Sequence, residues 1–224
     1  MATHRTYDSR KVLFGSILIM IFSCLFLLIL RMVLTSSQRY SFLIWNLLLS
    51  IVPLIFAYRL NYSLKTSSWK NWPNIFYSIV WLAFLPNSFY MITDLIHIQS
   101  TGDINILFDA ILVLDFVIAG LIFGFLSLLI IHKNLEKKIA HQYAHLLVFS
   151  IILISSFAIY LGRYLRWNSW DIATNPAGLI YDVTNKFINP FSNIQTFGIT
   201  LTIFIFLTSV YFFIYSSVKY LKDR

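Results

Sequence analysis

Cysteine is nearly absent. Cys24 is the only one and lies inside an apolar run, so the chain holds no internal disulfide and no Cys-rich metal site. Charge is scarce too: Asp, Glu, Lys and Arg make up 12% of the 224 residues, about half of the roughly 25% usual in soluble domains. Acidic residues are the rarer sign, 9 against 17 basic, leaving a net charge of +8. That excess does not make a nucleic-acid binder, because no basic segment outgrows a loop and the clusters alternate with hydrophobic runs. Also missing are an internal repeat, a low-complexity tract and a GxSxG-like context around Ser88 or Ser169, which argues against a serine nucleophile. Phe22-Ser23 before Cys24 fits a lipobox poorly. The first apolar run is too long, and lacks the small-residue site, for a cleavable signal peptide.

What is abundant is apolar surface: 58% of residues are hydrophobic and 18% aromatic, with a mean hydropathy of +0.75. A soluble fold of this size cannot hide so much. A bilayer can, at ~20 apolar residues per spanning helix. Six runs reach that length, predicting helices at about 12–34, 41–59, 74–97, 106–131, 143–165 and 197–218. One such run would suit a buried helix of a large soluble core; six in succession do not. The expectation is an all-α polytopic membrane protein, residues 1–224 forming a single transmembrane domain.

Orientation follows from the basic residues. One side carries Arg5, Arg10, Lys11, Arg59, Lys65, Lys70, Lys133, Lys137, Lys138, Lys219, Lys222 and Arg224; the other carries Arg31, Arg39, Arg163, Arg166 and Lys186. Positive charge accumulates in the cytoplasm, so both termini are expected inside. Acidic residues run the other way: Asp8, Glu136 and Asp223 fall inside, and Asp94, Asp103, Asp109, Asp171 and Asp182 outside or at the outer interface. This marks the outward face as the working face. In the last outward loop, Asn175-Pro176 reads as a helix start. Leu179, Ile180, Val183, Phe187 and Ile188 then recur at helical spacing before Asn189-Pro190. They suit an amphipathic helix on the outer membrane surface, or one packed on the bundle.

The polar residues inside the apolar runs carry the functional signal. Asn87, Tyr90, Asp94 and His97 are spaced by three, four and three, one face of a helix continued past Pro86. Pro86 removes a backbone hydrogen bond there. Such a break serves a site, or is satisfied by packing with Asn87 bridging helices. Asp115 falls ~24 Å from the inner boundary at ~1.5 Å per residue. A carboxylate at that depth should face the bundle interior, and Asn87, at similar depth, could meet it. Gly120 and Gly124 on the same run form a GxxxG pair that admits a close neighbour. Ser156, Tyr160, Arg163 and Trp167 share a face of the fifth run. Arg163 and Arg166, on the side that should be poor in positive charge, are counter-ions for Asp94, Asp109 or Asp115, or they grip an anionic ligand. Trp167 and Trp170 also suit interface anchors.

The catalytic candidates are therefore Asp94, His97 and Asp115. The ligand-binding candidates are Asn87, Tyr90, Arg163, Arg166, Trp167 and Asp171. A divalent metal is the one cofactor these residues admit, on Asp94, His97 and Asp109. With His97 the only outward histidine, mainly oxygen donors would favour Mg²⁺, Mn²⁺ or Ca²⁺ over zinc. His132, His141 and His145 read as loop or helix-end residues on the cytoplasmic side.

Phe84-Leu85-Pro86-Asn87, Tyr90, Thr93-Asp94-Leu95 and His97 form one motif. Gly162-Arg163-Tyr164, Arg166-Trp167-Asn168-Ser169-Trp170-Asp171 form another, with Tyr58-Arg59 a third element. In these the chain resembles the DUF1361 family of uncharacterised bacterial membrane proteins. The resemblance spans most of the chain and implies a multi-pass protein of the bacterial plasma membrane, with no established activity. Three functions remain open: a membrane enzyme acting on a lipid-linked or cell-envelope substrate; a transporter or flippase for a polar or anionic ligand; and a scaffold or partner subunit of the bilayer. The inner halves of the runs hold almost no charge, and six helices show no inverted repeat, which disfavours ion-coupled transport.

Overall fold

A computed structural model describes residues 9–100, 102 and 104–222, with side chains from 11 to 221. Arg5, Asp8, Asp103, Asp223 and Arg224, and the side chains of Arg10 and Lys222, which enter the charge asymmetry, lie outside the described residues. Each apolar run is helical, because a backbone in hydrocarbon must satisfy its own hydrogen bonds. In order they are α1 (Ser9–Thr35), α2 (Phe42–Ser63), α3 (Trp72–Tyr90), α4 (Ile106–Leu135) and α5 (His141–Tyr164). A short α6 (Asp171–Thr174), α7 (Pro176–Ile188) and α8 (Ile194–Lys222) complete the chain. There is no strand among the described residues. Six helices, α1 to α5 and α8, are long and apolar enough to cross a membrane. The chain is a multi-pass membrane protein.

α4 is the axis of the bundle. Of its most apolar window 61% is buried, against 17% for α1 and for the last span. α1, α2, α3 and α5 all pack on it. One side of the core joins Cys24, Leu28, Leu43, Leu47, Phe116 and Phe123; the other joins Trp81, Leu85, Phe89, Phe125, Val148, Ile152 and Leu207. α1 and α8 turn Ile19, Phe22, Ile205 and Phe213 outward, where lipid tails are as apolar a neighbour as another helix.

Close approach of α3 to α4 depends on the glycine pair. A Cβ on Gly120 would stand 2.5 Å from Met91 Sδ and 2.7 Å from the Ser88 carbonyl; one on Gly124 would stand 2.6 Å from the Phe89 ring. Both glycines thus admit the last turn of α3. Pro86 sits inside α3, and the α-helix continues through it to Tyr90. There it tightens into a 3-10 helix, Met91–His97, which keeps Asp94 buried. α7 starts as its residues dictate: Asn175 Oδ1 accepts from Gly178 N at 3.2 Å, with Pro176 in the first turn. Its Phe187 packs on Phe157 of α5 and Phe197 of α8.

Candidate functional site

The end of the bundle where α3 and α5 finish and α4 begins carries the intramembrane charges. Asp94 is 1% exposed. Its Oδ2 accepts from Asn46 Nδ2 of α2 at 2.8 Å, and Arg163 Nη2 of α5 lies 3.5 Å from its Oδ1. Arg163 is tied down in several directions. Nη1 donates to Tyr90 Oη at 3.1 Å, and Nη2 donates to the Thr93 carbonyl at 2.5 Å and meets His97 Nε2 at 3.0 Å. The guanidinium also lies 5.4 Å from the centre of the Tyr90 ring. Arginine can only donate, so His97 Nε2 is the acceptor and its proton sits on Nδ1. Among the described residues, two buried polar atoms of this group have no hydrogen-bond partner: Asp94 Oδ1 and Arg163 Nε.

A second pair is stacked alongside. Arg31 of α1 and Asp109 at the start of α4 are both buried, with Nε donating to Oδ1 at 3.1 Å. Tyr40 Oη donates to one acceptor while lying 3.2 Å from both Asp109 Oδ2 and the His97 carbonyl. The Arg31 guanidinium lies 5.1 Å from the Tyr40 ring centre. Burial and the Asp109 carboxylate push the Tyr40 phenol above its ordinary pKa, against the opposing pull of Arg39 and Arg31. Each charge lost to solvent is thus given an opposite one, the condition for tolerating it at depth.

Next to Asp94 and Arg163 opens a cavity of ≈ 200 Å³ between α2, α3, α5 and the chain following α5. Its polar lining is Trp45, Asn46, Asn87, Tyr90, Trp167, Asn168 and Ser169; Leu49, Ala83, Pro86, Ala158 and Ile172 supply apolar wall. Among the described residues, no ionised side chain lines it. Asn46 belongs to both wall and cluster, and so does Tyr90. Asn87 Nδ2 donates to Ser169 Oγ at 2.8 Å, fastening the chain after α5 to α3. Gly162 lets Tyr90 and the Trp167 carbonyl approach, at 3.4 and 3.3 Å from where a Cβ would stand. Arg166 turns the chain through left-handed backbone, φ 61°, a conformation that disfavours a β-carbon.

Of the residues singled out from sequence, Asp94, Tyr90, His97 and Arg163 meet in one cluster, while Asn87 and Trp167 line the adjoining cavity. Asp115 stands apart: it accepts from Ser23 Oγ of α1 at 2.7 Å, and Asn87 does not reach it. Asp109 belongs to Arg31. Arg166 is exposed. Asp171 ties its own loop together, accepting from Asn168 N at 2.7 Å. That backbone bond, then the Asn168 and Thr174 side chains, hold its carboxyl below the ordinary range despite slight desolvation. Trp167 Nε1 donates to Asp182 Oδ2 at 2.8 Å, fixing α7 to the loop. Asn46, Arg31 and Tyr40 were missed as site residues. For Asn46 the readable signal is an amide in mid-run, which in a membrane needs a partner.

Asp94, His97 and Asp109 do not present a shared metal position, since His97 Nε2 faces Arg163 and Asp109 faces Arg31.

No curated protein and no solved structure matches the chain. A family model described as "Protein of unknown function (DUF1361)" matches residues 45–211, which run from the wall of the cavity in α2 through the Asp94 and Arg163 cluster into α8. On that match the chain belongs to the DUF1361 family.

Proposed function

We propose that the cavity beside Asp94 binds the uncharged polar part of an amphipathic, lipid-linked substrate of the cell envelope, and that the protein is a membrane enzyme acting on it. The observation that carries this is the cavity's lining: amide, hydroxyl and tryptophan groups facing aliphatic wall, with no ionised side chain among them. Such a lining suits a hydroxyl- or amide-bearing group attached to hydrocarbon. An anion is a poorer fit. Three donors of Arg163 go to Tyr90, Thr93 and His97, and the guanidinium meets the cavity only through Tyr90. Asp94 is the acid-base group in this reading. Its Oδ1 is buried without a donor, and Asn46 connects its other oxygen to the cavity wall. Arg163 positions the carboxylate. His97, with Nε2 committed to Arg163, orients Arg163.

A scaffold is the second reading, favoured by the pairing of Arg31 with Asp109 and Arg163 with Asp94. Lipid retained by the purified chain separates the two. Under the enzyme reading, wild type and Asp94→Asn carry a stoichiometric amphipathic molecule in native mass spectrometry, which Asp94→Asn leaves unconverted, and Ala158→Phe loses it. The scaffold reading stands instead if Ala158→Phe carries the same lipids as wild type and Asp94→Asn with Arg163→Gln restores the folding that either change alone impairs.

A further inference from the structure

The opposite end of α4 holds a second cluster, ~35 Å along the helix from Asp109 at ~1.5 Å per residue. We propose that His132, Glu136 and His145 form a binding site for a divalent transition metal of the zinc class. The sequence pattern is two i, i+4 pairs in succession: His132 lies in the last turn of α4 with Glu136 at its C-cap, and His141 and His145 open α5. An i, i+4 pair presents both side chains on one face, and the tight reversal between α4 and α5 turns the two faces toward each other. One ligand atom from each of His132, Glu136 and His145 falls within 4.8 Å of the others. His132 Nε2 and Glu136 Oε1 are 3.6 Å apart. Two donors on one tetrahedral zinc, each at ~2.0–2.1 Å, stand about 3.3 Å apart, so this edge needs to shorten only slightly.

An unused donor supports a ligand role. His132 is fully buried, and its Nε2 has no hydrogen-bond partner among the described residues. The other ring nitrogen, Nδ1, lies 2.5 Å from Tyr211 Oη. Donation from Nδ1 to that hydroxyl leaves the Nε2 lone pair facing Glu136. Metal-binding histidines are ordinarily oriented by a bond at the second nitrogen. Tyr215 adds a further constraint: its ring stacks on His132 with centroids 4.8 Å apart, and its hydroxyl donates to Glu136 Oε1 at 2.6 Å. His141 spans the remaining gap, with Nδ1 at 2.8 Å from Glu136 Oε1 and Nε2 at 2.9 Å from His145 Nε2. It holds these two ligands in register. Two imidazoles and one carboxylate suit Zn²⁺, Co²⁺ or Ni²⁺ rather than Mg²⁺ or Ca²⁺. Access is from a cavity of ≈ 610 Å³ lined by Glu136, His141 and Tyr215 together with Lys133, Lys137 and Lys219.

The test is titration of the full chain, purified in detergent with a tag free of histidine, with Co²⁺ and then Zn²⁺. The expected result is visible absorption of imidazole-bound Co²⁺ saturating at one ion per chain, bleached by Zn²⁺, with a rise in melting temperature. His145→Gln, at a half-buried position, should abolish the saturable signal. His141→Gln should keep the stoichiometry and weaken affinity about 10–100-fold, as for other groups that orient ligands. Wild-type chain that shows no saturable Co²⁺ signal overturns the site, whatever the variants do. So does an isotherm that His145→Gln leaves unchanged, which would leave the cluster as a hydrogen-bond network.

Discussion

Arg31 shows what a single charge costs and gains at depth. It is fully buried and spends its donors on Asp109 and Thr35. Removing one member of a buried pair typically costs about 3–5 kcal/mol, because the other is stranded, while replacing both with apolar residues is often neutral. Arg31→Met should therefore lower the melting temperature of the detergent-solubilised chain sharply, and Arg31→Met with Asp109→Leu should recover most of the loss. An additive double variant would show that the two charges are not coupled. In the segment between α5 and α7, Asp171→Asn weakens the acceptor of the Asn168 amide, so hydrogen exchange at Asn168 should speed up while exchange within α4 stays unchanged. How far these residues could be read from sequence depended on local spacing. Asp94, Tyr90 and His97 stood out because they recur on one short segment, and Arg163 because it runs against the charge bias. Arg31 was legible only as a charge to be counted, since its partner is 78 residues away. Asp115 gave a depth and an inward face but not its neighbour: it meets Ser23 rather than Asn87, and Ser23 carries no sequence signal at all.

At the scale of elements, the contact between α3 and α4 sets where Asp94 sits. Gly120 faces Met91 and the Ser88 backbone, whereas Gly15 on α1 faces open space. Gly120→Leu should thus cost about 1–3 kcal/mol through overpacking and displace the 3-10 segment that carries Asp94. Gly15→Leu should leave the melting temperature essentially unchanged. Equal effects at both positions would deny the close packing. The GxxxG pair was readable because small residues one turn apart have that physical use. The 3-10 ending of α3 was not, because it depends on contacts that Met91 and Asp94 make with other helices. Four titratable residues at two i, i+4 spacings were visible around the turn between α4 and α5. The face they share forms only when the turn brings the end of α4 against the start of α5.

For the whole molecule, the six spans leave orientation to the charge bias, which predicts the Asp94 end outside and the His132 end in the cytoplasm. In a Cys24→Ser background, an impermeant thiol reagent should label Gln99→Cys in intact cells and Lys137→Cys only after permeabilisation. The reverse pattern would invert the protein and with it the setting of both sites. The six-helix architecture was legible because hydrophobic length is a requirement of the solvent, set by the bilayer. The cavity was not, since its walls come from α2, α3, α5 and the chain from Trp167 to Leu179, which no single run reveals. What fills it can be seen by placing a photo-crosslinking amino acid at Ala158, in the cavity wall, and at Leu201, exposed on α8. Irradiation in native membranes should capture one lipid-linked species with an uncharged polar group at Ala158, and bulk phospholipid at Leu201. The same bulk phospholipid at both positions would contradict a substrate-binding cavity.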